Sequence, residues 1–107
     1  MSVTFETIVE LVGRGEVKIS AHGYDELAED DIFVKDVVDT VSGGIVVEDY
    51  PNFPKGPCSL VLQKDRDGKP IHIVWGIPKG ADSPAVVVTA YRPNPDQWSE
   101  DFTRRLK

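Results

Sequence analysis

The chain has 107 residues, with 12 Lys and Arg against 18 Asp and Glu and a formal net charge of −6. That is the size of one small domain, 1–107, able to bury a core without staples, and its acidity weighs against long-range attraction to nucleic acid. Cys58 is the single cysteine, no CxxC or Cys/His cluster offers zinc a site, and no phosphate-loop or GxGxxG spacing occurs, so no metal and no cofactor is expected. No apolar run approaches the roughly 18 residues of a membrane span, and the first residues lack the basic-then-apolar pattern of a leader. A cytoplasmic protein that does not engage membranes is expected.

In chain order, Phe5, Ile8, Val9, Leu11 and Val12 follow a helical period that Gly13 and Gly15 end. Val17–Ile19 reads as a short extended link. Ser20 predicts an N-cap, with Ile19 and Tyr24 placed as a hydrophobic staple, for a helix that buries Tyr24, Leu27 and Ala28. Asp30 and Asp31 suit the start of a third helix over Ile32, Val34, Val37, Val38 and Val41, stopped by Gly43 and Gly44; its β-branched residues make it depend on packing.

The period then changes to that of strands: Ile45–Val47, Cys58–Gln63, Ile71–Ile77 and Ala85–Tyr91, with Asp67–Gly68 as a tight turn. Residues 96–107, around Trp98 and Phe102, predict a short C-terminal helical segment. The fold expected is α+β, with N-terminal helices packed on a four-stranded, mainly antiparallel sheet. Both Trp75 and Trp98 are expected in the core.

The two histidines head the candidates for proton transfer near neutral pH. His72 lies on the strand face opposite Ile71, Ile73 and Trp75. His22 sits in the first turn of a helix, where the dipole favours a neutral imidazole. Converging with Tyr91 and Arg92, these would supply a proton acceptor, a proton donor and a cation for cleaving RNA through its 2′-hydroxyl. Residues 1–50 hold twelve acids against Arg14, Lys18 and Lys35, whereas residues 51–107 hold six acids against nine bases, so RNA is expected only on the basic C-terminal half. The helical acids, Asp25, Glu26, Glu29, Asp30, Asp31, Asp36 and Asp39, read as one solvated face suited to a basic protein partner. Val86–Val88, were they on an uncovered edge, would favour a homodimer.

Several stretches together carry a resemblance: Ile19-Ser20-Ala21-His22, Gly44 to Pro51, Gly56-Pro57, Pro70 to Trp75, Val88 to Pro93, and Trp98 with Phe102 and Arg104-Arg105. From about Val17 onward the chain resembles the bacterial family known as domain of unknown function 4258, which is similar in element order to the RelE and ParE toxins. The resemblance implies that Ser20, His22, His72, Thr89, Tyr91 and Trp98 matter. It also exposes a departure, since Glu26 and Asp30 stand where many relatives carry arginines. The function expected is a partner-binding module of that toxin-like superfamily, and the alternative is a metal-independent endoribonuclease of RelE type using His72, His22, Tyr91 and Arg92.

Overall fold

A computed structural model describes residues 2–106. Its elements are α1 (Val3–Gly13), β1 (Val17–Ile19), α2 (Ala21–Glu29), α3 (Val34–Thr40), a single 3-10 turn at Val41–Gly43, β2 (Ile45–Tyr50), β3 (Cys58–Lys64), β4 (Pro70–Gly76) and β5 (Ala85–Tyr91). Helix α1 starts where the Ser2 hydroxyl accepts the Phe5 N–H at 3.0 Å. The predicted Ser20 cap is present: its hydroxyl accepts the Gly23 N–H at 2.9 Å and donates to the Val88 carbonyl at 3.0 Å, which ties the start of α2 to β5. That attachment turns Gly23 and Leu27 inward and leaves Tyr24 and Ala28 exposed, contrary to the expected burial of both. A Cβ on Gly23 would lie 2.6 Å from the Val87 carbonyl oxygen, so only glycine lets α2 approach β5 this closely.

Asp31 takes a left-handed φ of 52° and ends α2 instead of capping α3, which begins after Phe33 without a side-chain cap. Aspartate is among the few residues that tolerate that conformation.

The sheet has five strands, in the order β1-β5-β4-β3-β2, and is mixed, which corrects the four-stranded expectation. Val17–Ile19 is not a link: it pairs in parallel with Ala85–Val87, while the other three pairings are antiparallel. The Ala85 N–H donates to the Glu16 carbonyl at 2.9 Å and the Ser20 N–H to the Val87 carbonyl at 3.0 Å, extending that pairing at both ends. β5 is therefore interior, and Val86–Val88 form no edge, which removes the reason for expecting a dimer through them.

All three helices lie on one sheet face. Ile8, Leu11, Leu27 and Val37 pack there with Val61, Ile71, Ile73, Trp75 and Val87; each fully buried aliphatic side chain contributes roughly 1.5–3 kcal/mol. Trp75 is in the core as expected, and its indole N–H donates to the Gln63 amide oxygen at 2.7 Å. Gln63 in turn donates to the Val37 carbonyl at 2.7 Å and to the Thr40 hydroxyl at 3.0 Å, so one buried amide joins α3 to β3 and β4.

The opposite face carries Leu60, His72, Val74, Thr89 and Tyr91, and the chain after β5 folds over one end of it. No helix forms in 96–106, which corrects the expected C-terminal helical segment; Lys107 lies outside the described residues. Asn94 accepts the Asp96 N–H, Asp101 accepts the Thr103 N–H, and Phe102 adopts a φ of 62°. These side-chain acceptors hold the backbone in successive turns, closed by a bridge between Trp98 and Arg105.

Candidate functional site

His72 and Tyr91 are paired positions on β4 and β5, so alternation puts both side chains on the helix-free face. The His72 Nδ1 lies 3.1 Å from the Tyr91 hydroxyl and its Nε2 lies 2.9 Å from the Phe102 carbonyl oxygen. A carbonyl only accepts, so Nε2 carries the proton and Nδ1 accepts from Tyr91. The Trp98 ring stands edge-on to the imidazole at a centroid distance of 4.5 Å, and His72 has 0% exposure. Burial holds the His72 pKa below its usual value against the opposing pull of the Phe102 carbonyl, and burial also raises that of Tyr91. The pair is thus a neutral imidazole with both nitrogens satisfied, sealed under the tail.

Arg92, next along the chain, turns elsewhere. Its Nε donates to the Asp30 carbonyl at 3.0 Å, one terminal nitrogen to Asp65 at 2.9 Å and the other to the Asp31 carbonyl at 3.3 Å, while its backbone N–H donates to the Asp30 carboxylate at 2.9 Å. Asp65 also accepts the N–H groups of Asp67 and Lys69, so Arg92 fastens the end of α2 to the β3–β4 turn. Although burial alone would raise the Asp65 pKa, those N–H donors and the guanidinium hold it low. His22 stands in the helical layer, on the other side of the sheet, exposed, with Nε2 3.3 Å from Glu26. The structure therefore unites His72 with Tyr91 and leaves His22 and Arg92 away from that contact.

The acidic face is also divided. Asp36 is buried and forked by Arg66, whose guanidinium hydrogen bonds lower its pKa and whose charge lies 3.9 Å over the Phe33 ring. Asp39 pairs with Lys35, and Asp30 receives Arg92. Asp25 and Glu29 on α2 are exposed and form no ion pair among the described residues, and Tyr24 beside them is 61% exposed. Of the acids expected on one solvated face, only Asp36 is buried; Asp25, Glu29 and Asp31 stay exposed without an ion pair among the described residues, and Asp39 is exposed beside Lys35.

Next to Tyr91 an open cleft of about 350 Å³ is lined by Glu48, Tyr50, Leu60, Val74, Thr89 and Arg105, among others. Arg105 forks the Glu48 carboxylate, with its second contact at 3.1 Å, and lies 4.7 Å over the Trp98 ring; Tyr50 donates to Glu48 at 2.9 Å. The Arg105 hydrogen bonds, opposed by burial and aided by Tyr50, lower the Glu48 pKa. Sequence reasoning did not single out Glu48, Tyr50 or Arg105 as one group. The Glu48-x-Tyr50 spacing places both on one strand face, but their cation comes from the tail and carries no local signal.

Among the described residues no three His, Cys, Asp or Glu side chains group as metal ligands, and no helix is long and apolar enough to cross a membrane. A family model described as Domain of unknown function (DUF4258) matches residues 19–92. No curated protein and no solved structure matches. The matched span contains His22, His72, Tyr91 and Arg92 and stops before the tail that supplies Trp98, Phe102 and Arg105.

Proposed function

The chain belongs to the DUF4258 family of domains of unknown function, and on that premise we propose that it is a partner-binding module, of RelE/ParE-like build, that takes a basic protein through the outer face of α2. One observation carries this reading: Asp25 and Glu29, one helical turn apart on α2, stand exposed near Tyr24 with no counter-cation among the described residues, whereas Asp36 is buried on Arg66 and Asp39 is met at the surface by Lys35. An exposed aromatic flanked by unpaired carboxylates supplies an apolar anchor and charge complementarity in one place. The free thiol of Cys58 suits a reducing compartment such as the cytoplasm.

The experiment is affinity capture from native extract with the wild-type chain and with the Asp25→Lys, Glu29→Lys double variant. A basic protein retained by the wild type, released by salt and lost with the variant supports the reading; equal retention by both, or none by the wild type, refutes it.

The second reading, a metal-independent endoribonuclease of RelE type, draws on the His72–Tyr91 contact. It is the weaker one. The imidazole is closed off by Trp98 and Phe102, and Arg66, Arg92 and Arg105 all lie on carboxylates. A phosphate brought to any of these three arginines would first have to displace its carboxylate.

A further inference from the structure

The cleft beside Tyr91 continues along the sheet into a second recess of about 200 Å³, the two sharing Phe53, Cys58 and Val88. Of the eight large apolar side chains exposed among the described residues, Tyr50 at 46%, Phe53 at 48% and Val88 at 40% line this one trough. Clustered exposed apolar groups mark a binding surface in a way that scattered ones do not.

The trough is also built in advance. Its outer wall, the β2–β3 loop, is fixed to the β4–β5 connection by the Ile77 N–H donating to the Pro57 carbonyl at 3.0 Å and the Lys79 N–H to the Lys55 carbonyl at 3.2 Å. Gly56 has a φ of 124°, and any side chain there would collide with the Ile77 carbonyl. Gly76 keeps the floor low, since a Cβ would lie 3.2 Å from Val88 and 3.5 Å from Cys58.

Charge selects the ligand. At one end Glu48 and Arg105 neutralise each other, and at the other Lys55 forms no ion pair among the described residues. Burial raises the Cys58 pKa, so the thiol adds no negative charge. A chain of net charge −6 thus presents a trough with one uncompensated cation at its mouth.

We infer that this trough binds an aromatic carboxylate of one or two rings, with the rings between Phe53 and the Val74–Val88 floor and the carboxylate on Lys55. Its volume is that of a small-molecule pocket, and Tyr50, Phe53 and Tyr91 offer ring faces and edges for offset packing. The site lies across the sheet from α2 and is independent of the partner surface.

The test uses 2-naphthoate and its neutral analogue 2-naphthalenemethanol, titrated calorimetrically into the full chain, with amide chemical shifts mapped on the wild type. Expected are shifts centred on Phe53, Gly76 and Val88, and about fivefold tighter binding of the carboxylate, the size of one exposed ion pair. Lys55→Glu should remove that preference, weakening the carboxylate several-fold more than the alcohol. Thr89→Trp should fill the trough and abolish both affinities, and Val88→Asp, at an exposed position, should do the same should the tryptophan variant not fold. Shifts elsewhere on the surface, no binding by the wild type, or a carboxylate preference that survives Lys55→Glu would overturn the inference.

Discussion

The His72 Nδ1 and the Tyr91 hydroxyl lie 3.1 Å apart across directly paired positions of β4 and β5. With the Phe102 carbonyl on Nε2, this contact consumes both ring nitrogens and fixes a neutral imidazole beneath the tail. The consequence is a pH dependence of stability. Because burial depresses the folded pKa below that of the unfolded chain, near 6.5, the unfolded chain binds more protons in the interval between the two values. Stability from this group is complete above pH 6.5 and declines as pH falls toward the folded value. Urea midpoints between pH 5 and 8 should show the decline, and His72→Phe should flatten it. That variant should also cost about 1–2 kcal/mol at pH 8 through two lost hydrogen bonds.

Arg92→Ala should destabilise the chain by about 2 kcal/mol, because the buried Asp65 carboxylate and two carbonyls lose charged donors together. Equilibrium urea unfolding measures this directly. A loss below about 0.5 kcal/mol, the range of an ordinary surface change, would mean that Arg92 does not fasten α2 to the β3–β4 turn.

Gly23→Ala raises helix propensity by roughly 1 kcal/mol in an isolated helix, yet here it should lower stability by about 1–3 kcal/mol, since the added carbon meets the Val87 carbonyl and α2 must lift. A thermal midpoint at or above wild type would contradict the close approach of α2 to β5.

Gln63→Leu should cost about 1–3 kcal/mol by leaving the Trp75 indole N–H and the Val37 carbonyl unpaired in the core. The Trp75→Phe, Gln63→Leu double variant should lose less than the sum of the two single losses, because removing both partners is less costly than orphaning each in turn. Additive losses in the double variant would exclude the coupling.

What could be read from the sequence was what local chemistry decides. The Ser20 cap, the alternation that sets His72 opposite Ile71 and Ile73, and the four longer strands all follow from spacing. What escaped depends on distant partners. Val17–Ile19 has too few residues to display a period, and it is a strand only because Ala85–Val87 lies beside it. Trp98 and Phe102, four apart, suggest a helix, but Asn94 and Asp101 capture backbone N–H groups into turns. Asp36 reads as a surface acid and is buried because Arg66 arrives from the β3–β4 turn. Adjacent strands allow His72, Tyr91 and Arg92 to converge, but spacing alone does not decide it, and the turning away of Arg92 depends on where Asp30 and Asp65 meet.

Whether this is a binding module or an enzyme is tested most directly by incubating a mixed RNA pool with the full chain at low salt and with chelator, beside the His22→Ala, His72→Ala double variant. With His72 sealed and the Arg92 guanidinium held by the Asp65 carboxylate and two carbonyls, neither protein is expected to cut the RNA. Cleavage by the wild type that the double variant loses would contradict the binding-module reading and return the catalytic role to the histidines.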